Sequence, residues 1–159
     1  MSRSRELRSE RVLAALRILM GGIFVAVWSD NLAKGLYGTK GYAGFIRTYA
    51  DTTPFHWYAR LLSSVIIPHA DIFGRLQMVI ELVVFGGFLL AGFLTPLAAV
   101  LAAGFFVAVL LGSWAIDWQG TYVTMIAILL AVAIGQAGRT WGVDALLARR
   151  NPRPGVPIY

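Results

Sequence analysis

The sequence predicts an all-α membrane protein: a four-transmembrane-helix bundle with short amphipathic helices in the outer loop between spans one and two. Composition is the first observation behind this prediction. Of the 159 residues, 58% are hydrophobic and 14% charged, where soluble domains carry about 25% charge. Mean hydropathy is +0.69. The second observation is a set of four apolar runs, at about 12–31, 71–91, 96–114 and 121–137, each near the ~20 residues a bilayer core demands. The third is the placement of a formal net charge of +6. Arg3, Arg5, Arg8 and Arg11 crowd the front of the chain, and Arg139, Arg149, Arg150 and Arg153 the back, each cluster against an apolar run. Basic residues collect on the cytoplasmic side, so both termini are expected there and the number of spans is expected to be even. The same placement argues against a nucleic-acid partner.

Residues 1–150 are expected to form a single membrane domain, and 151–159, with three prolines, an irregular cytoplasmic tail. The chain has no cysteine, which excludes disulfides, iron–sulfur ligation and thiol redox chemistry carried by its own residues.

Span one carries Arg17 just inside the cytoplasmic boundary, where its long stem is expected to snorkel outward. Its apolar run reaches Trp28 with no small-x-small cleavage site, so it reads as an uncleaved span and not as a signal peptide. Gly21 and Gly22, with Ala26 a turn on, offer a small-residue face for close helix contact. Trp28 marks the outer interface, and Asp30, Asn31 and Lys34 follow.

The interfacial segment 37–70 is neither a span nor a polar loop. Tyr42, Phe45, Ile46 and Tyr49 recur at helical spacing, as do Phe55, Tyr58, Leu61, Leu62, Val65 and Ile66 after Pro54. The 13 residues 54–66 reach only about 20 Å, too short to cross. Two short helices at the outer interface are predicted, anchored by Phe55, Trp57 and Tyr58, with Pro68 ending the second. His56 and His69, 13 positions apart with no Cys nearby, read as interfacial hydrogen-bonding residues and not as a metal pair; no metal site is expected.

Span two returns inward carrying Glu81. The turn that follows is predicted to place Gly92 beyond the helix end, Thr95 as N-cap and Pro96 at the first helical position. Span three shows a small-residue stripe at Gly104, Ala108 and Gly112. A brief outer turn, 117–120, lies between Trp114 and Tyr122. Span four has few polar groups and ends near Gly138, before a short amphipathic helix from about 143 to 150.

Glu81 is the chemical focus. A charged side chain at a bilayer centre costs about 2.5–3.5 kcal/mol on insertion scales, so it is expected to face the bundle interior and find a partner. Gln77 stands one turn before it and Phe85 and Phe88 one and two turns after. Lys34 is the expected ion-pair partner, with Trp28, Phe85, Phe88 and Trp57 as an aromatic lining. Two roles are open for this set: a structural clasp between helices, or an apolar ligand pocket with a few convergent polar groups, suited to a quinone headgroup. No nucleotide-binding loop, HExxH, flavin fingerprint or Ser/His/Asp spacing is present.

Taken together, Arg17 with Gly21 and Gly22, Lys34, Trp57-Tyr58, Pro68-His69, the run Glu81…Gly87…Gly92-Phe93-Leu94-Thr95, Gly138 and Asp144 resemble the DoxX/DoxD superfamily of small four-helix membrane proteins. The likeness spans residues 13–147, and the long outer segment looks more like the DoxD branch. Two positions depart from the family pattern: Asn31 stands where a Gly is common, and Pro96 where an Arg is frequent. The resemblance gives Arg17, Gly22, Gly87, Gly92 and Asp144 as motif positions. It implies the plasma (inner) membrane of a prokaryote and a non-autonomous subunit of a redox complex. One branch of the family is thiosulfate:quinone oxidoreductase-like, and others belong to complexes handling oxidative or thiol stress. On this reading a quinone is the candidate cofactor, with none bound covalently. The partners are the bilayer and other membrane or membrane-associated redox subunits, with a homo-oligomer open. The rival expectation is a non-catalytic anchor or assembly subunit.

Overall fold

Long apolar runs leave a chain few ways to satisfy its backbone without water, and every regular element here is a helix. A computed structural model describes residues 2–150, with side chains from Arg8 onward; the proposed tail 151–159 with Arg153, and the side chains of Arg3 and Arg5, lie outside the described residues. Among the described residues there is no strand. Helix α1 spans Ser2–Ala33, α2 Thr39–Thr52, α3 His56–Ala91, α4 Thr95–Gly112, α5 Gln119–Ile134 and α6 Val143–Arg150. Three stretches are long and apolar enough to cross a membrane: Arg8–Ala33, His56–Ala91 and Thr95–Gly112. Helix α5 is apolar but has 16 residues.

The expected break at Pro68 does not occur. The second outer helix runs directly into span two, giving one 36-residue helix. A proline inside a helix removes one backbone bond and crowds the carbonyl four residues back. Here a π turn at Leu62–Ile66 and a 3-10 turn at Ile67–His69 loosen and then tighten the backbone around the ring, so the helix continues. A second π turn covers Ile80–Phe88, around Glu81.

Helices α1, α3, α4 and α5 share one core built from Met20, Phe24, Phe85, Leu89, Phe106, Leu129 and Val132. Small residues set the closest approaches, though not those the spacing suggested. Gly21 is buried, and a Cβ there would lie 2.9 Å from the Leu90 nitrogen and 3.1 Å from the Gly86 carbonyl oxygen. Gly22 has open space on that side. On α4 the packed small face is Ala98, Ala99, Ala102 and Ala103, while Gly104 faces outward. Outward-facing Val12, Leu19, Ile72, Val79, Val100 and Val123 keep an apolar belt around the bundle, as a bilayer environment requires. Helix α2 packs a second cluster, Tyr42, Ile46 and Tyr49, against Tyr58, Leu62 and Ala70 of α3 and against Val109 and Leu111 of α4.

At the end of the bundle where α3 meets α6, Arg17 does not snorkel. It is fully buried, donating from Nη1 to the Leu89 carbonyl at 3.0 Å and from Nη2 to the Trp141 carbonyl at 3.0 Å. The last carbonyls of a helix lack intrahelical donors, and the guanidinium supplies one to the end of α3. Gly92 follows with φ +65 and is closely covered by the Arg17 guanidinium, so a side chain is excluded there on two counts. Thr95 is not the N-cap of α4; it is the first helical residue, and Leu94 precedes it with φ 46. The cap comes from 50 residues away. Asp144 accepts from the backbone nitrogens of Leu94 at 2.8 Å and Thr95 at 2.9 Å. Its carboxylate thereby satisfies two orphan donors at the positive end of α4.

Candidate functional site

The opposite end of the bundle holds the acid that the sequence singled out. Glu81 is 2% exposed, on the inner face of α3. Both carboxyl oxygens are occupied. The Tyr37 hydroxyl donates to Oε2, and the Gln77 amide donates to Oε1 at 2.7 Å. The Gln77 amide is itself oriented, because its oxygen accepts from the Tyr42 hydroxyl at 2.8 Å. Asn31 donates to the Tyr37 oxygen at 3.4 Å. A buried polar network of this kind is worth having only when every member is satisfied, and these members are.

The two phenols come from the segment between α1 and α3. Gly74 on α3 lets that segment in: a Cβ there would lie 2.6 Å from the Tyr37 carbonyl oxygen and 3.2 Å from the Tyr42 ring. Burial, the bond to Glu81 and its charge push the Tyr37 phenol up from its ordinary range. Burial and the neighbouring Glu81 push Tyr42 up to about 12. Both phenols therefore keep their protons at physiological pH and stay donors.

Beside this network lies a cavity of about 500 Å³ between α1, α2, α4, α5 and the upper part of α3. Its walls are mainly apolar: Phe24, Phe105, Phe106, Ile46, Val109 and Met125 among them. Glu81, Gln77 and Asn31 present polar atoms at one part of the wall, and Tyr49 and Tyr122 at another. The Tyr49 hydroxyl has no hydrogen-bond partner among the described residues, and burial keeps its phenol protonated. Volume and lining both suit a flat, drug-sized apolar molecule with one or two acceptors. Among the described residues no cluster of three or more His, Cys, Asp or Glu residues is placed to hold a metal ion.

Comparison with protein-family models, with curated proteins and with solved structures finds no match.

Of the predicted lining, Glu81 and Gln77 face the cavity and the rest do not. Lys34 pairs with Asp30, one helical turn back, at 2.5 Å, and its side chain is 61% exposed. An exposed partner four residues away spares it the desolvation of reaching Glu81. Trp28 clasps α1 to α3 by donating to the Met78 carbonyl at 3.0 Å. Phe85 stands behind the lining, its ring 5.0 Å from that of Phe24 and 5.4 Å from that of Phe105. Phe88 meets Phe93 edge-on at 5.0 Å, and Trp57, 56% exposed, rests on the outer side of Tyr58. The π turn at Ile80–Phe88 accounts for Phe88, because wider turns move the residue seven positions past Glu81 off its face; Phe85 joins the ring cluster of Phe24 and Phe105 instead. Tyr37, Tyr42, Tyr49 and Asn31 are the residues that the spacing did not assign to the site.

Proposed function

We propose that this chain is a four-span plasma-membrane subunit of a quinone-linked or oxidative-stress redox complex, similar to the DoxX/DoxD proteins, and that a quinone-like ligand occupies the aromatic cavity beside Glu81. Helix α5 serves as the fourth span. Its 16 residues extend about 24 Å, and the 3-10 turn Ala137–Arg139 lengthens the column at one end. Four spans return the C-terminal arginines to the side of the N-terminal ones, which is then cytoplasmic.

The observation that carries the ligand reading is the cavity itself. It joins apolar walls to oriented polar groups, and the Tyr49 hydroxyl is left for an incoming acceptor. Phe105 and Phe106 offer ring faces for a flat headgroup, while the Asn31 and Gln77 amides supply donors for a carbonyl oxygen. A quinone would bring the redox chemistry. The chain's own residues would hold the headgroup and fix its orientation.

The test is titration of a short-chain quinone into purified protein in mild detergent, with Glu81→Gln and Tyr49→Phe as variants. Weaker binding to both variants is expected, since Glu81 orients Gln77 and Tyr49 offers its own hydrogen bond. Unchanged binding in both, or none to the wild type, favours the anchor or assembly role.

A further inference from the structure

A second concave site lies at the end of the bundle where α3 meets α6. It is a groove of about 660 Å³ where the start of α1, the end of α3 and the segment 139–149 meet. Arg11, Arg139 and Arg149 line it, with Glu10 as the only acid among the described residues of its walls. Arg11 and Arg149 have no hydrogen-bond or ion-pair partner among the described residues. Arg11 and Arg149 against one glutamate leave a surplus of positive charge for an incoming anion.

Trp141 turns this groove into an interfacial one. Its backbone sits at φ 55, a conformation costly for a bulky side chain, and the buried Arg17 guanidinium holds its carbonyl at 3.0 Å. Gly142 locks the next residue, with no room for a Cβ against the backbones of Gly138 and Gly92. So held, the Trp141 ring stands 63% exposed at the groove, with the exposed Leu146 beside it. An indole at a span end, an apolar neighbour and a cluster of guanidiniums together match a lipid whose headgroup is anionic.

We propose that this groove binds the phosphate of an acidic phospholipid, its diester held by Arg11 and Arg149 and its glycerol region against Trp141. Guanidinium forks suit phosphate oxygens, and the apolar rim receives the start of the acyl chains. The assignment is independent of the cavity beside Glu81.

The experiment is native mass spectrometry of the full chain in detergent. It is titrated with phosphatidylglycerol, with phosphatidylcholine and with inorganic phosphate alone. The wild type is expected to retain phosphatidylglycerol in preference to phosphatidylcholine. The double variant Arg11→Gln/Arg149→Gln should lose about fivefold in apparent affinity for each arginine, as removal of a basic side chain from an anionic surface does. Arg47→Gln/Arg60→Gln removes the same charge from exposed positions on α2 and α3 and should retain the lipid like the wild type. Equal retention of the two lipids overturns the proposal. So does an Arg11/Arg149 variant that still holds phosphatidylglycerol, or an equal loss in the control variant. Competition by inorganic phosphate at the lipid's own concentration would assign the groove to a free anion and also overturn it.

Discussion

Tyr37→Phe removes one oxygen atom and tests how the buried acid is held. The phenol is 5% exposed and Glu81 2%, so bulk water does not reach the bond between them. Leaving a buried acceptor unpaired costs about 1–3 kcal/mol, and more where the lost bond is charge-assisted. Interhelical hydrogen bonds in membrane proteins average only about 0.6 kcal/mol, with a maximum near 1.7, because the unfolded chain in lipid finds other partners. The bond goes to a carboxyl oxygen, with Gln77 already committed to the other oxygen, which puts Tyr37→Phe at the upper part of that span, about 1.5 kcal/mol. Tyr42→Phe is the internal control: it breaks an ordinary bond of 2.8 Å to a neutral amide and should cost about 0.5–1 kcal/mol. Reversible unfolding in lipid bicelles by added SDS, followed by tryptophan fluorescence, gives both values. A double-mutant cycle of Tyr37→Phe with Glu81→Gln isolates the pairwise term. A Tyr37 variant no less stable than the Tyr42 variant, or a coupling near zero, would refute the claim that the phenol holds the acid.

Three further outcomes follow from the packing. Gly21→Val should destabilise the bundle by about 2 kcal/mol or prevent its assembly, whereas Gly22→Val, one residue along in open space, should leave thermal stability within about 0.5 kcal/mol. Asp144→Ala takes both acceptors from the start of α4 and the nearest negative charge from Arg17, and should cost about 2–4 kcal/mol. Asp144→Asn, which keeps one acceptor, should recover part of that in the same thermal assay. The Tyr42 phenol is raised to about 12 in the fold, above its ordinary value near 10. Its contribution is fully present below pH 10 and lost as pH rises toward 12, so the wild type should lose more stability across that window than Tyr42→Phe does.

Much of the bundle was legible because the length of an apolar run that fits a bilayer is a strong signal. The runs at 12–31 and 96–114 fall inside α1 and close to α4, and Glu81 with Gln77 read as a buried polar pair from their spacing alone. The partners of that pair were not legible. Tyr37 and Tyr42 lie 44 and 35 residues before the groups they bond, and a tyrosine near a span end reads equally well as an interface anchor. Lys34 has the reach to approach Glu81, but Asp30, one turn behind it, is the nearer acid and takes it. Arg17 follows the same logic in reverse. Snorkelling is available to any arginine near a span end, but the sequence does not announce that the carbonyls of Leu89 and Trp141 converge on this one. The π turns at Leu62–Ile66 and Ile80–Phe88 have no spacing signature, and they account for both the unbroken helix past Pro68 and the displaced Phe88.

The most direct test of the central claim is the isoprenoid quinone content of protein purified from membranes in mild detergent, measured per mole of chain for the wild type and for Met125→Trp. That substitution fills the cavity from α5 and leaves the Glu81, Tyr37 and Gln77 bonds untouched. The account predicts near-stoichiometric quinone in the wild type and a loss of tenfold or more in the variant, about 1.4 kcal/mol of binding or greater. Equal content in the two proteins, or none in either, would contradict it.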